Sequence, residues 1–269
     1  MLPLDCPKPR PAARATRRVV SRNRRFVSEG HVGLLLYGVF GKTDTIGKYI
    51  GRHMPLTSYP LNEAAKLVAC SYNPADNPSF DAQVKDRKGG DSRAYLLNND
   101  FLIIPGSDSF ADYAKYNFRI AGIGRKKLKI STETKKGESG TKWHQGFLKH
   151  AQEIQTWLGN RRPTLIIGHS LGAASTQILS MTYKVSGIAF ASPRTHTGSN
   201  SGPNSKYCLS ICRTDDPVCK VPSSFNHMGR VIYLKHKDDR GLVRHNPWQY
   251  MKVLKKNTTP NKVPARWKS

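Results

Sequence analysis

The stretch GHSLGAA, residues 168–174, constrains the fold more strongly than any other part of the chain. It follows PTLII, in which residues 164–167 are β-branched at three of four positions, a composition typical of a buried strand. The residues after it, 171–183, repeat apolar side chains at helical spacing. The side chains on that face are Leu171, Ala174, Ile178 and Met181. The sequence therefore predicts a strand, a tight glycine turn and a helix in direct succession.

Ser170 lies at the apex of this predicted turn, where it is a candidate nucleophile. Gly-x-Ser-x-Gly between a strand and a helix holds a serine hydroxyl out at the end of a sheet. The unpaired N–H groups of the helix N-terminus favour negative charge that develops next to it. Gly168 and Gly172 suit this interpretation because side chains there would collide with the neighbouring strand and helix. The alternative is a structural glycine turn without chemistry.

A serine nucleophile needs a base and an acid, which in this type of fold follow it in the order acid, then histidine. Residues 184–192 and 206–212 read as the next two strands, and the second ends in RTDDPV. Asp216 is the predicted acid because it lies just past that strand end, and Asp215 is the adjacent alternative. An Asp-Pro pair also starts ordinary surface turns.

Three histidines follow the predicted acid: His227, His236 and His245. His236 ends the strand RVIYLKH, whereas His245 lies one loop further on, in RHNPWQYM. A base must reach both the serine and the acid, which favours a loop position. The sequence therefore favours His245 and leaves the other two open.

At this point several short motifs resemble the class 3 lipases, the fungal-type triacylglycerol lipase family of the α/β-hydrolase superfamily. GHSLGAA resembles the family's nucleophile turn, with Ala173 where a second glycine is common. FASPRT resembles its Phe-Gly-x-Pro-Arg strand end, with Ala191 in place of the glycine, and DDPVCKVP resembles its Asp-x-Val-Pro segment. The resemblance implies an α/β-hydrolase fold with Ser170 as nucleophile and Asp216 as acid.

Further motifs on either side extend the resemblance over about residues 60–250. FNHMGRVIYL resembles the family's Tyr-x-His-x-Gly stretch, whose histidine is structural, which makes His227 a less favoured base. RHNPWQY resembles the C-terminal histidine segment and supports His245. KWHQGFLKHAQEI resembles the family's Val-His-x-Gly-Phe lead into a helix.

The segment DFLIIPGSDSFADYAKYNF, residues 100–118, resembles the family's oxyanion strand and lid. The resemblance assigns Ser107 to the oxyanion hole, and the second donor is the N–H of Leu171, the residue after the nucleophile. Ser107 also suits a helix cap, and Pro105 replaces the family's usual arginine. The lid would then carry an apolar side formed by Phe110, Tyr113 and Tyr116.

Chain length and element order predict a single α/β domain with a mostly parallel central sheet flanked by helices. Residues 59–72 read as a helix, and RAYLLNNDFLIIP reads as an N-terminal β-hairpin turning at Asn98 and Asn99. Strands and helices then alternate toward the C-terminus. The predicted organisation is a basic, disordered arm at 1–25, a hydrolase domain at 26–255 and a basic tail at 256–269.

The net charge of +26, from 44 basic and 18 acidic residues, is unusual for such a domain. The first 25 residues include eight basic residues and one acidic residue, and the last 19 include six basic residues and no acidic residue. Such a chain is attracted to anionic lipid head groups or to nucleic acid, or the ends are simply a solvated arm. The arm also resembles an organellar transit peptide.

The cysteines and histidines argue against a metal site and against a cysteine framework. The five cysteines form no Cys-x-x-Cys pair, and Cys208 and Cys212 lie about 13 Å apart along a strand, beyond disulfide reach. We expect reduced thiols and a cytoplasmic or organellar location, because no secretory signal is seen and residues 32–40 are too short to span a bilayer. His144 and His150 are expected at the surface, and no metal or cofactor is predicted.

Together these features predict a serine hydrolase that cleaves carboxylic esters of lipids, of the triacylglycerol lipase or phospholipase A type. The lipid ester is the predicted partner, and the sequence says nothing of oligomeric state. Two alternatives stay open. One is a carboxylesterase for small soluble esters, and the other is a basic membrane-binding or nucleic-acid-binding protein on an inactive hydrolase scaffold.

Overall fold

The computed structural model describes residues 58–107, 118–119, 129–130, 133–198, 205–235, 244–257 and 266–268. The predicted arm at 1–25, the apolar run at 32–40, the apolar lid residues and His236 lie outside these ranges.

The described helices and strands follow the predicted alternation. The helices are α1 (Leu61–Cys70), α2 (Pro78–Asp81), α3 (Gln145–Leu158), α4 (Leu171–Tyr183) and α5 (Pro247–Asn257). The strands are β1 (Ser58–Pro60), β2 (Val84–Lys88), β3 (Ala94–Leu97), β4 (Phe101–Ile104), β5 (Phe118–Arg119), β6 (Lys129–Ile130), β7 (Thr134–Lys136), β8 (Lys142–His144), β9 (Leu165–His169), β10 (Ser186–Phe190), β11 (Cys208–Arg213), β12 (Arg230–Leu234) and β13 (Arg266–Lys268).

The central sheet has seven strands among the described residues, in the order β12-β11-β10-β9-β4-β3-β2. The run from β4 to β12 is parallel, and β3 and β2 extend it in antiparallel sense. The strand–turn–helix stretch of the sequence occupies β9 and α4 at the centre of this sheet. This arrangement is an α/β-hydrolase fold, as predicted.

The predicted hairpin is confirmed as β3 and β4, which pair antiparallel with Leu96 opposite Leu102. Asn98 and Asn99 form its turn, and Asp100 completes it with a φ of 59°. Aspartate tolerates this left-handed conformation better than most residues, because its short polar side chain can bond locally.

Helices cover both faces of the sheet, because its strands alternate apolar side chains between two cores. Ile103 and Ile167 point toward α1 and α5, while Leu102 and Ile166 point toward α3 and α4. Helix α4 is buried from Leu171 to Met181, since it lies between the sheet and α3. Its glycine, alanine and serine residues permit this close approach.

The end of the predicted basic tail belongs to the fold. β13 pairs antiparallel with β1, placing Trp267 opposite Tyr59, and Trp267 is buried with the α1 and α5 side of the core. The charge of this segment does not stop its aromatic residue from packing.

Two expectations about individual side chains were wrong. His144 and His150 are buried, because β8 and α3 turn them into the core rather than to the surface. Cys70 forms a disulfide, so the expectation of reduced thiols fails at that position. Cys208 and Cys212 are free, as their spacing predicts; both are buried, and Cys219 is also free and buried.

Within the described ranges, every helix is too short or too polar to cross a bilayer.

Candidate active site

The turn between β9 and α4 holds Ser170 in a conformation that few side chains adopt. Ser170 has φ 58° and ψ −120°, a strained combination that persists only where the surroundings impose it. Those surroundings are two glycines. A Cβ added at Gly168 would lie 2.3 Å from the Gly172 carbonyl oxygen, and one at Gly172 would lie 2.1 Å from the Ile104 carbonyl oxygen. The glycines therefore let the strand, the turn and the helix pack without side chains between them.

Ser170, His245 and Asp216 form a continuous hydrogen-bonded chain. His245 Nε2 lies 2.7 Å from Ser170 Oγ, and its Nδ1 lies 2.8 Å from Asp216 Oδ2. A carboxylate can only accept, so Nδ1 carries the proton and Nε2 accepts from the serine hydroxyl. The structure thus brings together the three residues that the sequence placed in the order serine, acid, histidine. Ser170 directly follows β9, Asp216 lies just past β11, and His245 lies beyond β12.

The carboxylate of Asp216 is buried and held by two further donors. The Tyr250 hydroxyl donates to Oδ2 at 2.7 Å, and the Val218 N–H donates to Oδ1 at 2.9 Å. Hydrogen bonds to an ionised carboxylate stabilise its charged form and fix its orientation. The Tyr250 hydroxyl is itself held in place, because its oxygen accepts a hydrogen bond from the backbone N–H of Arg213 at 3.0 Å.

Asp215, the alternative acid, faces a different partner. Its carboxylate accepts from Arg213 Nε at 3.0 Å and from Arg213 Nη2 at 2.8 Å, a two-pronged pair with a fully buried guanidinium. Burial raises the pKa of Asp215, but the hydrogen bonds and charge of Arg213 outweigh this and hold the pKa below its ordinary value. Asp215 therefore neutralises Arg213, and Asp216 faces the histidine.

The other two histidines stand differently. His227 is buried, and its Nε2 lies 2.8 Å from the Ser192 carbonyl oxygen and 3.7 Å from Cys212 Sγ, which fits the structural role that the resemblance implies. His236 lies outside the described residues.

The candidate oxyanion groups lie next to Ser170. β4 lies parallel to β9 with Ile104 opposite Gly168, so the loop after β4, which contains Ser107, meets the nucleophile turn. A Cβ added at Gly106 would lie 2.8 Å from Ser170 Cβ, which shows how closely that loop approaches. Leu171 is the first residue of α4, so its N–H has no acceptor within the helix. Ser107 is half-buried beside this site.

The contacts of two tyrosines in the site were not predicted. The Tyr72 hydroxyl lies 2.6 Å from His169 Nδ1 and accepts the Gly106 N–H at 2.8 Å, and Tyr250 supports the acid. No sequence pattern marks Tyr72, which is 97 residues before His169. Tyr250 follows His245 within the same short segment, where helical spacing of Tyr250, Val253 and Leu254 could have marked it as buried.

Ala191 occupies a position that favours glycine, as its resemblance to the family's glycine suggests. Its φ is 52°, and its N–H donates to the Ile211 carbonyl oxygen at 3.0 Å. The backbone at the end of β10 thus keeps a left-handed residue although the side chain is a methyl group.

Among the described residues, no group of three histidine, cysteine or carboxylate side chains is arranged to hold a metal ion.

Comparison with known proteins finds likeness at the level of solved structures. No known family model and no curated protein matches the chain. A mutant form of MDLA from Penicillium cyclopium is 16% identical with a TM-score of 0.45, covering 67% of this chain and 82% of its own. Lip2 lipase from Yarrowia lipolytica is 12% identical with a TM-score of 0.41, covering 64% and 77%. A triacylglycerol lipase from Penicillium expansum is 15% identical with a TM-score of 0.40, covering 65% and 78%. The fold of this chain is therefore identified from its own strand order, and its candidate site from its own hydrogen bonds.

Proposed function

We propose that this protein is a serine hydrolase that cleaves carboxylic ester bonds of lipids. The observation that carries the proposal is the unbroken chain from Ser170 through His245 to Asp216, with both hydrogen bonds at or below 2.8 Å. Proximity in this order converts a weak hydroxyl nucleophile into an effective one.

Acylation begins when the Ser170 hydroxyl attacks the acyl carbonyl carbon. His245 Nε2 takes the hydroxyl proton as the serine–carbon bond forms, and the carbonyl oxygen becomes an oxyanion. Asp216 holds the imidazole in the tautomer that can accept this proton and stabilises the cation that results. His245 then returns the proton to the leaving alcohol as the ester bond breaks, which leaves an acyl-enzyme.

The oxyanion is held by groups that are fixed before the reaction. In this proposal the N–H of Leu171 and the N–H and hydroxyl of Ser107 donate to it, and the N-terminus of α4 adds its dipole. Water then attacks the acyl-enzyme by the same steps, with His245 as the base, and releases the fatty acid and free Ser170.

Labelling with a fluorophosphonate tests whether Ser170 is activated. The wild-type protein should react rapidly, and Ser170→Ala should not react. Ser175→Ala is a matched control. Ser175 lies on helix α4, which begins directly after Ser170, and its hydroxyl is 2.6 Å from His150 of α3, but Ser175 is fully buried. Equal labelling of the wild type and Ser170→Ala would remove the serine-hydrolase assignment and favour an inactive hydrolase scaffold.

The charge of the chain supports a lipid surface as the place of action. Helix α5 begins two residues after His245 and buries Tyr250, Val253 and Leu254, while Lys252, Lys255 and Lys256 are exposed. A lysine near an anionic bilayer contributes about 1 kcal/mol of binding free energy. We therefore propose that the enzyme prefers anionic phospholipid surfaces to neutral ones.

Initial rates on vesicles separate the lipid substrate from small soluble esters. Hydrolysis on phosphatidylglycerol-containing vesicles should exceed that on neutral vesicles and fall as salt rises, because charge is screened over about 8 Å at physiological ionic strength. Replacing Lys252, Lys255 and Lys256 by glutamine should lower the vesicle rate and leave hydrolysis of a soluble butyrate ester unchanged. Equal rates on both vesicles, flat with salt, would contradict the membrane role, and activity on soluble esters alone would indicate a carboxylesterase.

A further inference from the structure

The hydroxyl of Tyr72, two residues beyond the end of helix α1, contacts both halves of the candidate site. The Tyr72 oxygen accepts the Gly106 N–H at 2.8 Å and lies 2.6 Å from His169 Nδ1. Gly106 directly precedes Ser107, and His169 directly precedes Ser170. The same oxygen therefore joins the loop that carries the candidate oxyanion donor to the turn that carries the nucleophile.

The hydroxyl of Tyr72 can serve both contacts at once. Its oxygen accepts the Gly106 N–H, and its one proton can be donated to His169 Nδ1 when His169 carries its own proton on Nε2. His169 is then neutral with its own proton on Nε2. Burial and the neighbouring His245 hold the pKa of His169 well below its ordinary value, which agrees with a neutral ring.

A neutral His169 also suits the chemistry of His245. Their ring centroids are 4.9 Å apart, and His245 becomes a cation during each proposed proton transfer. A second positive charge at this distance would disfavour that cation. A hydrogen bond from Tyr72 to a neutral ring orients His169 without adding charge.

The loop at Gly106 has little room to adjust by itself. A Cβ there would lie 2.6 Å from the Tyr72 hydroxyl, 2.8 Å from Ser170 Cβ and 3.0 Å from the His169 carbonyl oxygen. The loop is thus enclosed between Tyr72 on one side and the nucleophile turn on the other. Steric contact limits how close it comes, and the Tyr72 hydrogen bond limits how far it moves away.

We propose that Tyr72 is a positioning residue that holds the oxyanion loop in register with the nucleophile turn. The inference rests on the proposed function for its catalytic consequence, but the tether itself is a property of the fold. Oxyanion donors act because they are fixed before charge develops, and a displacement of about 1 Å can cost 10²-fold in rate.

The kinetic test is Tyr72→Phe, which removes the hydroxyl and keeps the ring. With a soluble butyrate ester we expect kcat to fall about ten- to a hundredfold while KM stays within about threefold, because the lost interaction matters in the transition state. Tyr183→Phe is the matched control, since it removes a hydroxyl at the opposite end of α4 from Ser170, and its kcat should equal that of the wild type.

A second measurement does not depend on activity. The Gly106 amide should be protected from hydrogen exchange in the wild type and should exchange at least about tenfold faster in Tyr72→Phe, because its acceptor is gone. If the wild type hydrolyses no ester at all, the proposed function fails, and this exchange rate still decides whether the tether exists. A folded Tyr72→Phe with kcat within threefold of an active wild type, or with unchanged Gly106 exchange, would overturn the proposal.

Variants at His169 decide the matter if Tyr72→Phe does not fold. His169→Asn keeps an acceptor atom near the position of Nδ1, whereas His169→Leu keeps volume and removes the acceptor. We expect Gly106 exchange to rise in the order wild type, His169→Asn, His169→Leu, with kcat falling in the same order. The same kcat and Gly106 exchange in both variants would show that the hydrogen bond to Tyr72 has no positioning role.

Discussion

Among the described residues, two serine–histidine hydrogen bonds involve helix α4 or the residue before it, one at Ser170 and one at Ser175, and their surroundings differ. Ser170 Oγ lies 2.7 Å from His245 Nε2, and Ser175 Oγ lies 2.6 Å from His150 Nδ1. By distance alone the second pair is the better one. Their environments differ in every other respect.

The first difference is the partner behind each histidine. His245 faces the carboxylate of Asp216, which stabilises an imidazolium. Burial lowers the pKa of His150 to about 4, although the charge of Glu153 and a hydrogen bond to the backbone of Asp91 act to raise it. Transfer of the serine proton to the histidine is thus favoured in the Ser170–His245 pair and disfavoured in the Ser175–His150 pair.

The second difference is access. The His245 side chain is 12% exposed and Ser170 is 5% exposed at the N-terminus of α4, whereas Ser175 and His150, between α3 and α4, are 0% and 1% exposed. The first pair is thus the less enclosed of the two. Charge support and location, more than a short Ser–His contact, thus distinguish the candidate nucleophile Ser170 from Ser175.

Removing the two histidines should give the largest contrast. His245→Ala should lower kcat on a soluble ester by about four orders of magnitude, because it removes the base. His150→Leu should stay within about threefold of wild type, since Ser175 can bond to its own helix backbone. Steady-state kinetics on both purified variants provide the check, and a loss in His150→Leu comparable to that in His245→Ala would break the distinction.

The two neighbouring aspartates sharpen the contrast between activity and stability. Asp216→Asn should lower kcat about 10³- to 10⁴-fold by stabilising the wrong imidazole tautomer. Asp215→Asn should lower kcat by less than about tenfold but should cost about 3 kcal/mol of unfolding free energy, because Arg213 is fully buried and loses its countercharge. Kinetics and urea unfolding measure the two effects, and a reversed pattern would make Asp215 the acid.

A smaller effect is expected from the tyrosine that supports the acid. Tyr250→Phe should lower kcat about three- to tenfold, since Asp216 keeps its bonds to His245 and to the Val218 N–H. The proton NMR signal of the His245 Nδ1–H, shifted downfield by its hydrogen bond to Asp216, should move but persist. Loss of that signal would show that Tyr250 is needed to place the carboxylate at all.

The buried Ser175–His150 pair should affect the free energy of unfolding, and the pKa of His150 gives the direction of the pH dependence. Because the folded pKa of His150 is about 4 and the unfolded value is about 6.5, the unfolded chain binds more protons between these limits. Stability from keeping His150 neutral is therefore full above pH 6.5 and is lost as pH falls toward 4, on the order of 3 kcal/mol in all. Unfolding free energy measured from pH 7 to 4 should decline less steeply in His150→Leu than in the wild type. Parallel curves would contradict this source of acid sensitivity.

Much of the fold could be predicted because its signals are local. The β9 strand, the Ser170 turn and the α4 helix are contiguous, so β-branched residues, two glycines and a helical repeat sufficed to identify them. The same holds for the β3–β4 hairpin, whose turn residues stand between two short apolar runs.

His150 shows where a usable signal was overlooked. It lies three residues after Phe147 and four before Ile154, both of which are buried, so helical spacing places it on the apolar face of α3. Its burial could have been predicted. Its contact with Ser175 could not, because that depends on how two helices pack.

By itself, the sequence determined the α/β architecture and the strand–turn–helix at Ser170, and it predicted that an acid and a histidine would follow in that order. It left Asp215 beside Asp216 and three histidines as alternatives, because each reads alike in a local window. Tertiary structure decided that Asp216 turns to His245 while Asp215 turns to Arg213, and it brought Tyr72 to a loop and a turn 34 and 97 residues away. A hydrogen bond is gained or lost when the donor–acceptor distance changes by a fraction of an ångström. For residues far apart in the chain, that distance is fixed only once the sheet and its helices have packed.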